Sequence, residues 1–510
     1  MLHSFMKLSE IIQLLPGAQR QGNDVEVTEI AYDSRLVTSG ALFVALRGAK
    51  SDGHDFIAQA LNKGASALMI HADRAGWYGA HGLPTIIVPN TRAILPFLSA
   101  EFYGRPSEQL DLIGVTGTNG KTTTAYMIES IFRTLGERTG LIGTIGAMIN
   151  GKPVPLERTT PEAPDLQRLF ADMVQSGVRR CVMEVSSQGI LMERTAECAF
   201  DTGVFTNLTQ DHLDAHGTMD AYFAEKLKLF TEYPQAFPQK TFNAVVNADD
   251  PYGLKIIEAL EVSGKAVLRY ALRNPDAPLR AVIDEARPDG TRFTVTYQPP
   301  QGSAVSFSVE LQMGGLFQVT NALAAIGVAL LRRVPVNAIV NGLEALTGVP
   351  GRFELVPTPG KDFTVVVDYA HSPDGLENVL KSARALSPKR LVCVFGCGGD
   401  RDPLKRPLMG KISAELADVS ILTSDNPRSE NPDAIIADIL AGIDGGAADP
   451  NVITEPDRHA AIQAALCTLA RPGDLVVIAG KGHETGQTAA GKTIPFDDRQ
   501  VAREALAGCV

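Results

Sequence analysis

The sequence predicts an α/β protein of three domains: a small N-terminal α/β domain, a central P-loop domain on a doubly wound, mostly parallel sheet, and a C-terminal Rossmann-like α/β domain. Three observations predict it. At 510 residues and 45% hydrophobic content, the chain exceeds one ordinary core yet is too apolar to be disordered. Apolar strand-like runs alternate with helical segments along most of its length, the pattern of parallel sheets covered on both faces. A glycine-rich stretch lies between one such strand and a helix, where open α/β sheets bind phosphate.

Taken in order, residues 1–107 open with a short helical pattern and continue with strand-like Val25 to Ala31, Ala41 to Leu46, Ala67 to Ile70 and Thr85 to Val88, with a helix at Phe56 to Lys63. Residues 108–349 hold strands at Leu112 to Val115, Arg180 to Val185, Gly203 to Asn207 and Ala244 to Asn247, with a helix from Thr122. Alternation at Arg292 to Tyr297 and Val305 to Val309, within Val262 to Leu311, predicts an antiparallel excursion. A turn-rich joint at Gly348, Val349 and Pro350 precedes residues 350–510, with strands at Thr364 to Asp368, Arg390 to Phe395, Val419 to Thr423 and Asp474 to Ala479.

Composition excludes several classes. The formal charge of -11 comes without a basic stripe, which argues against nucleic acid as a partner. No stretch reaches the roughly 18 apolar residues of a membrane helix, and the N-terminal run is too interrupted by charge for a signal peptide; no membrane insertion and a cytoplasmic location are expected. The six cysteines, Cys181, Cys198, Cys393, Cys397, Cys467 and Cys509, lack the spacing of a disulfide framework or a zinc site and read as free thiols.

The strongest chemical signal is Gly114 to Thr124, GVTGTNGKTTT. Wrapping an anion in backbone N–H groups needs glycines (Gly117, Gly120), a lysine for the terminal phosphates (Lys121) and a hydroxyl for Mg²⁺ (Thr122). Val115 stands where the common phosphate-loop spacing has its first glycine, which disfavours a switch GTPase. Downstream, Met183 to Gly189 ends a strand in Glu184 and two hydroxyls, and Glu184 is a candidate Mg²⁺ ligand because hard cations take carboxylate oxygens. Thr206 to Gly217 is a polar loop rich in groups for metal binding or proton transfer. The run Gly396-Cys397-Gly398-Gly399 lacks the third glycine of a dinucleotide fingerprint, since Arg401 occupies its place.

The motifs GTNGKTT, EVSSQG and NLTxDHLDxHG resemble those of the Mur ligase family, and the resemblance extends over essentially the whole chain. It implies an ATP-dependent ligase that adds meso-diaminopimelate to UDP-MurNAc-L-Ala-D-Glu in peptidoglycan synthesis, acting as a monomer with ATP and Mg²⁺. Residues 1–107 would bind the UDP moiety, 108–349 ATP, and 350–510 the amino acid.

By residue, the resemblance makes Lys121, His212 and Lys226 catalytic, Lys226 as a carbamate, and gives Mg²⁺ the ligands Thr122, Glu184, His212 and Lys226. ATP would meet Gly117, Thr118, Asn119, Gly120, Lys121, Thr122, Thr123, Asn321, Arg352 and Asp368. Gln318 stands where the family commonly has Asn, so only Asn321 is carried over from that motif. The nucleotide-sugar dipeptide would meet Ser34 and Arg35 of a DSR motif, with Thr159, Thr160, Ser186, Arg194 and Lys226. The amino acid would meet Arg401, Asp425, Asn426, Pro427, Arg428, Gly480 and Glu484. Asp425 to Arg428 resembles the DNPR of diaminopimelate-adding members, and Arg428 can answer the second carboxylate that distinguishes diaminopimelate from lysine. A lysine-adding homologue, a folylpolyglutamate synthase-like ligase and a P-loop assembly ATPase are the rival readings.

Overall fold

The computed structural model describes residues 5–48, 51–77 and 82–509. The chain separates into two compact units: residues 1–114, 138–201 and 228–242 in one, 115–137, 202–227 and 243–510 in the other.

In the first unit a five-stranded sheet runs in the order Gln19–Gln21, Thr85–Val88, Ala67–His71, Ala41–Val44, Glu29–Ala31. Its last four strands pair in parallel and Gln19–Gln21 is an antiparallel edge. Apolar side chains leave both faces, so one core holds Leu8, Leu42, Met69 and Leu98 and the other Phe43, Ile57, Leu68 and Ile87. Helix Thr91–Phe102 starts where Asn90 accepts from the N–H groups of Arg92 and Ala93, a side-chain cap for otherwise orphaned donors. The same unit holds Lys152–Val154, Gly146–Ile149, Thr139–Gly143, Arg180–Glu184 and the beginning of Asp111–Thr116, in that order.

Two differences from the sequence reading lie here. Val25 to Ala31 is not one strand: Glu26–Val27 pairs antiparallel with Met6–Lys7, Glu29–Ala31 pairs in parallel with Ala41–Val44, and between them Thr28 donates its N–H to Gly40 O. The strands between Thr139 and Val154 were not foreseen, because glycines interrupt their apolar alternation.

In the second unit, the end of Asp111–Thr116 leads a series Thr202–Phe205, Asn243–Asn247, Val267–Ala271, Leu279–Arg287, Gly290–Tyr297, Val305–Leu311. Pairing is parallel up to Leu279 and antiparallel beyond, so the expected excursion extends a parallel sheet. Helix Lys121–Thr134 is buried almost all round. It meets helix Val336–Glu344 so closely that a Cβ on Gly342 would lie 2.4 Å from Ile131 Cα.

A six-stranded sheet follows, in the order Glu354–Val356, Thr364–Asp368, Leu475–Ala479, Leu391–Phe395, Val419–Leu422, Val452–Thr454, parallel except for the first pair. Its two central strands, Leu475–Ala479 and Leu391–Phe395, are fully buried runs, as a sheet covered on both faces requires. Cores lie on its two faces, around Leu380, Phe395 and Ile439 and around Val365, Val394 and Ile462. Cys467 and Cys509 are joined in a disulfide, which corrects the reading of all six cysteines as free thiols; the other four are free and buried. The bond links segments remote in sequence, which spacing cannot reveal. No helix among the described residues is long and apolar enough to cross a membrane.

Candidate functional site

The glycine-rich loop of the second unit is shaped by what surrounds it. Gly117 and Gly120 have φ of +148° and +84°, and a Cβ on them would lie 1.9 Å from Thr206 Oγ1 and 2.3 Å from Asn321 Oδ1. Only glycine fits either place, which accounts for the unusual spacing. Asn207 braces the loop: its carbonyl accepts from Thr118 N–H at 2.9 Å and its side-chain oxygen from Asn119 N–H at 2.9 Å. Thr122 and Thr123 are buried at the start of the helix.

Two lysines converge on this loop. Lys121 donates to Gly117 O at 2.9 Å and Thr118 O at 2.7 Å, and Lys226 donates to the same Gly117 O at 2.8 Å. Lys226 is 1% exposed and its ammonium lies 4.7 Å from the Tyr222 ring centroid. Burial, and then the charge of Lys121, hold its pKa well below the usual lysine range. Tyr222 shares a hydrogen bond with Thr118 Oγ1 at 3.1 Å and packs edge-on to His212. Burial lowers the His212 pKa against the opposing charge of Asp211.

The loop is also reached from residues beyond 350 within the same unit. Arg352 donates to Thr122 Oγ1 at 3.0 Å and lies over the Tyr369 ring, and Asn119 Nδ2 donates to Asp374 at 2.6 Å. Asn321 donates to Gln318 Oε1 at 3.0 Å, so the Gln that departs from the motif is the buried partner of the Asn that matches it. Asp368 accepts from Phe353 and Ala370 N–H at 2.7 and 2.8 Å, and burial pushes its carboxyl up to about 6.

A second cluster of this unit lies at the carboxyl ends of the six-stranded sheet, where open α/β sheets place ligands. Arg428, with φ +56°, donates to Gly399 O at 2.6 Å. A Cβ on Gly398 would lie 2.8 Å from Arg428 Nη1 and 3.7 Å from Arg401 Cγ, so both arginines flank that turn; Arg401 is exposed. Pro427 precedes Arg428, and Gly480 donates its N–H to Asp368 O at 3.1 Å. Asn426 Nδ2 donates to Asp425 at 3.0 Å and Glu484 at 2.8 Å.

Sequence reasoning missed several neighbours of this cluster. The hairpin Gly486–Ala489/Lys492–Pro495 reaches it through Thr488, whose carbonyl accepts from Arg428 N–H. Arg458, fully buried, forks onto Asp498 with both bonds at 2.7 Å and donates to Ser424 O and Ala479 O. Lys481 is buried between Asn426 and Glu484.

The first unit carries the remaining candidates. Glu184 accepts from Thr144 N–H at 2.9 Å and Thr144 Oγ1 at 3.0 Å; Thr144 Oγ1 also lies 3.1 Å from Thr159 Oγ1. Thr160 Oγ1 donates to Glu184 O and lies 3.0 Å from Ser186 Oγ. Arg194 donates to Thr160 O at 3.2 Å and Glu162 at 3.0 Å. Glu162, absent from the sequence candidates, also pairs with Arg92 and Arg158. Ser34 donates to Gln59 Oε1 at 2.8 Å, and exposed Arg35 folds onto Asp33. The bonds from Arg35, with a smaller contribution from Arg158, lower the Asp33 pKa. Among the described residues no three His, Cys, Asp or Glu side chains cluster as a ready metal site.

Comparison with known proteins matches three family models in succession: the Mur ligase family catalytic domain over residues 26–103, the Mur ligase middle domain over 115–329, and the Mur ligase glutamate ligase domain over 351–482. The UDP-N-acetylmuramoyl-L-alanyl-D-glutamate--2,6-diaminopimelate ligase of Bacillus licheniformis is 44% identical over 98% of this chain and 99% of its own length. A solved structure of a UDP-N-acetylmuramoyl-L-alanyl-D-glutamate--2,6-diaminopimelate ligase is 33% identical with a TM-score of 0.63, covering 94% of this chain and 95% of that one. A Mycobacterium tuberculosis folylpolyglutamate synthase, solved with ADP and AMPPCP, shares the fold at 21% identity and a TM-score of 0.62, covering 76% of this chain and 92% of that one.

Proposed function

This chain belongs to the Mur ligase family, and from that premise we propose that it joins meso-diaminopimelate to UDP-MurNAc-L-Ala-D-Glu at the expense of ATP, in the cytoplasm and as a monomer. The observation that carries the reading is the braced glycine loop with Lys121 and Lys226 together on Gly117 O, in a chain whose full length aligns with a diaminopimelate-adding relative. Residues 1–107 would take the UDP moiety, 108–349 ATP, and 350–510 the amino acid.

In this reading the loop amides of Gly117 to Thr123 and the helix N-terminus behind them receive the triphosphate. Lys121 releases the loop carbonyls to meet it, Arg352 leaves Thr122 for phosphate, Asp368 takes the ribose and Asn321 the adenine. A carboxylate oxygen of the dipeptide attacks the γ-phosphorus, the bond to the β-phosphate oxygen breaks, and ADP leaves an acyl phosphate. The diaminopimelate amine adds to the acyl carbon, the nitrogen loses a proton, and the tetrahedral adduct expels phosphate to leave an amide. No enzymatic nucleophile is required: positioning and charge stabilisation carry such a transfer. Ser34, Arg35, Thr159, Thr160, Ser186 and Arg194 would orient the acceptor.

Mg²⁺ takes oxygen ligands; Thr122 offers a hydroxyl oxygen, and the buried Lys226 amine becomes an oxygen donor on carbamylation. Neutral Lys226 can add to CO₂, losing a proton to give a carbamate, which replaces a buried cation by an oxygen ligand. Thr122, His212 and Lys226 as carbamate would hold the metal. Bound there, Mg²⁺ supplies positive charge to the phosphate oxygens.

On the amino-acid side, Arg401, Asp425, Asn426, Pro427, Arg428, Gly480 and Glu484 would form the receptor, with Arg428 the selector for the distal carboxylate. The test is to incubate the protein with ATP, Mg²⁺ and UDP-MurNAc-L-Ala-D-Glu, adding diaminopimelate, lysine or nothing, and to follow phosphate and product. Tripeptide formed with diaminopimelate and poorly with lysine supports the reading; phosphate release indifferent to dipeptide and amino acid would favour an assembly ATPase.

A further inference from the structure

We propose that Lys481 is a positioning residue for the amino-acid receptor, fixing the orientation of both Asn426 and Glu484. The inference rests on the reading that these two residues face the incoming diamino acid. Lys481 follows Gly480 at the end of strand Leu475–Ala479, and its side chain is 0% exposed. Its ammonium makes three contacts: Glu484 Oε2 at 3.0 Å, Asn426 Oδ1 at 3.3 Å and Gly486 O at 2.7 Å. An ammonium has three donors and no acceptor, so these contacts use its full capacity.

The consequence for Asn426 is a fixed amide. Its oxygen sits between two obligatory donors, Lys481 Nζ and the N–H of Thr488 at 2.9 Å. Its nitrogen sits between two acceptors, Asp425 Oδ1 at 3.0 Å and Glu484 Oε2 at 2.8 Å. Flipping the amide would oppose donor to donor and acceptor to acceptor at four contacts, so only one orientation is stable. Glu484 is constrained by the same pair: Oε2 accepts from Lys481 and Asn426 together, which leaves Oε1 for an ammonium of the substrate. The charge of Lys481 also offsets the Glu484 carboxylate with which it pairs.

A purely structural lysine would tie the turn through Gly486 O and affect every substrate alike. A positioning lysine acts on one substrate and acts through Glu484. Full-length wild type, Lys481→Met, Glu484→Gln and the double variant are therefore compared by steady-state ligation. We expect Lys481→Met to raise KM for diaminopimelate by about 10- to 100-fold, as loss of a charge-assisted hydrogen bond implies, with the rise absent from the KM values for ATP and the nucleotide-sugar dipeptide. In the Glu484→Gln background the same change should add less than about threefold, because the two residues form one unit. If Lys481→Met does not fold, judged by loss of ATP binding, Lys481→Gln enters the same cycle with the same expected pattern. An unchanged KM for diaminopimelate, an equal rise in all three KM values, or a full effect repeated in the Glu484→Gln background overturns the proposal. Wild type that ligates no diamino acid would instead overturn the functional reading beneath it.

Discussion

Replacing Arg458 by Met tests whether the amino-acid receptor hangs on a buried brace. Arg458 and Asp498 have side chains 0% exposed, and the guanidinium makes two bonds of 2.7 Å to the carboxylate besides those to Ser424 O at 3.3 Å and Ala479 O at 2.9 Å. Removing one partner of a buried pair costs about 3–5 kcal/mol, because the other charge remains without water or counter-ion. At 1.4 kcal/mol per tenfold, this corresponds to roughly 10²- to 10⁴-fold faster native-state hydrogen exchange in strands Val419–Leu422 and Leu475–Ala479 and helix Asp498–Gly508. Arg458→Met with Asp498→Leu should recover most of the loss, since an apolar pair leaves no charge behind. Because Ser424 and Ala479 immediately precede Asp425 and Gly480, the single variant should also raise KM for the diamino acid. An exchange change under tenfold, or a double variant as impaired as the single, would refute the reasoning.

Three further outcomes are expected. Arg428→Ala should lose diaminopimelate affinity with ATP binding intact, and should narrow the preference over lysine by up to about 10⁴-fold in relative kcat/KM; an unchanged preference removes Arg428 as selector. Lys121→Met should lower ligation by about 10²- to 10³-fold at saturating substrates, and a loss under tenfold would contradict its role at the transferring phosphate. For Asp368, whose carboxyl burial raises to about 6, nucleotide affinity should weaken as pH falls through that value. The sign for stability is opposite: a carboxyl raised above its unfolded pKa of about 3.9 contributes stability present below that value and lost as pH rises through 6. Asp368→Asn should flatten both profiles, measured by nucleotide titration and urea melts from pH 4 to 8.

What was legible in the sequence is what depends on local chemistry. The alternation of apolar strands and helices indicated parallel sheets because both faces of such strands are buried. The GTNGKT loop announced itself because glycines, a lysine and hydroxyls are needed in one place. The residues that sequence reasoning missed owe their significance to burial that local sequence does not encode. Nothing in the local sequence marks Lys481 and Arg458, which the fold removes from water, and Glu162 is unremarkable until three arginines meet on it. Gln318 looked like a defect in a motif, whereas its side chain is the partner of Asn321. The Cys467–Cys509 bond joins a helical residue to the one that follows helix Asp498–Gly508, 42 residues apart in sequence, a pairing that only tertiary packing brings about.

The central claim is that the glycine loop holds ATP so that a substrate carboxylate is phosphorylated and then captured by an amine. It is tested most directly by labelling the acceptor carboxylate of UDP-MurNAc-L-Ala-D-Glu with ¹⁸O and analysing the phosphate released during ligation to diaminopimelate. The account predicts that each phosphate formed with an amide bond carries one labelled oxygen from the carboxylate, and that release of label stops when ATP is omitted. Unlabelled phosphate accompanying amide formation, or labelled dipeptide recovered unchanged while ATP is consumed, would contradict it.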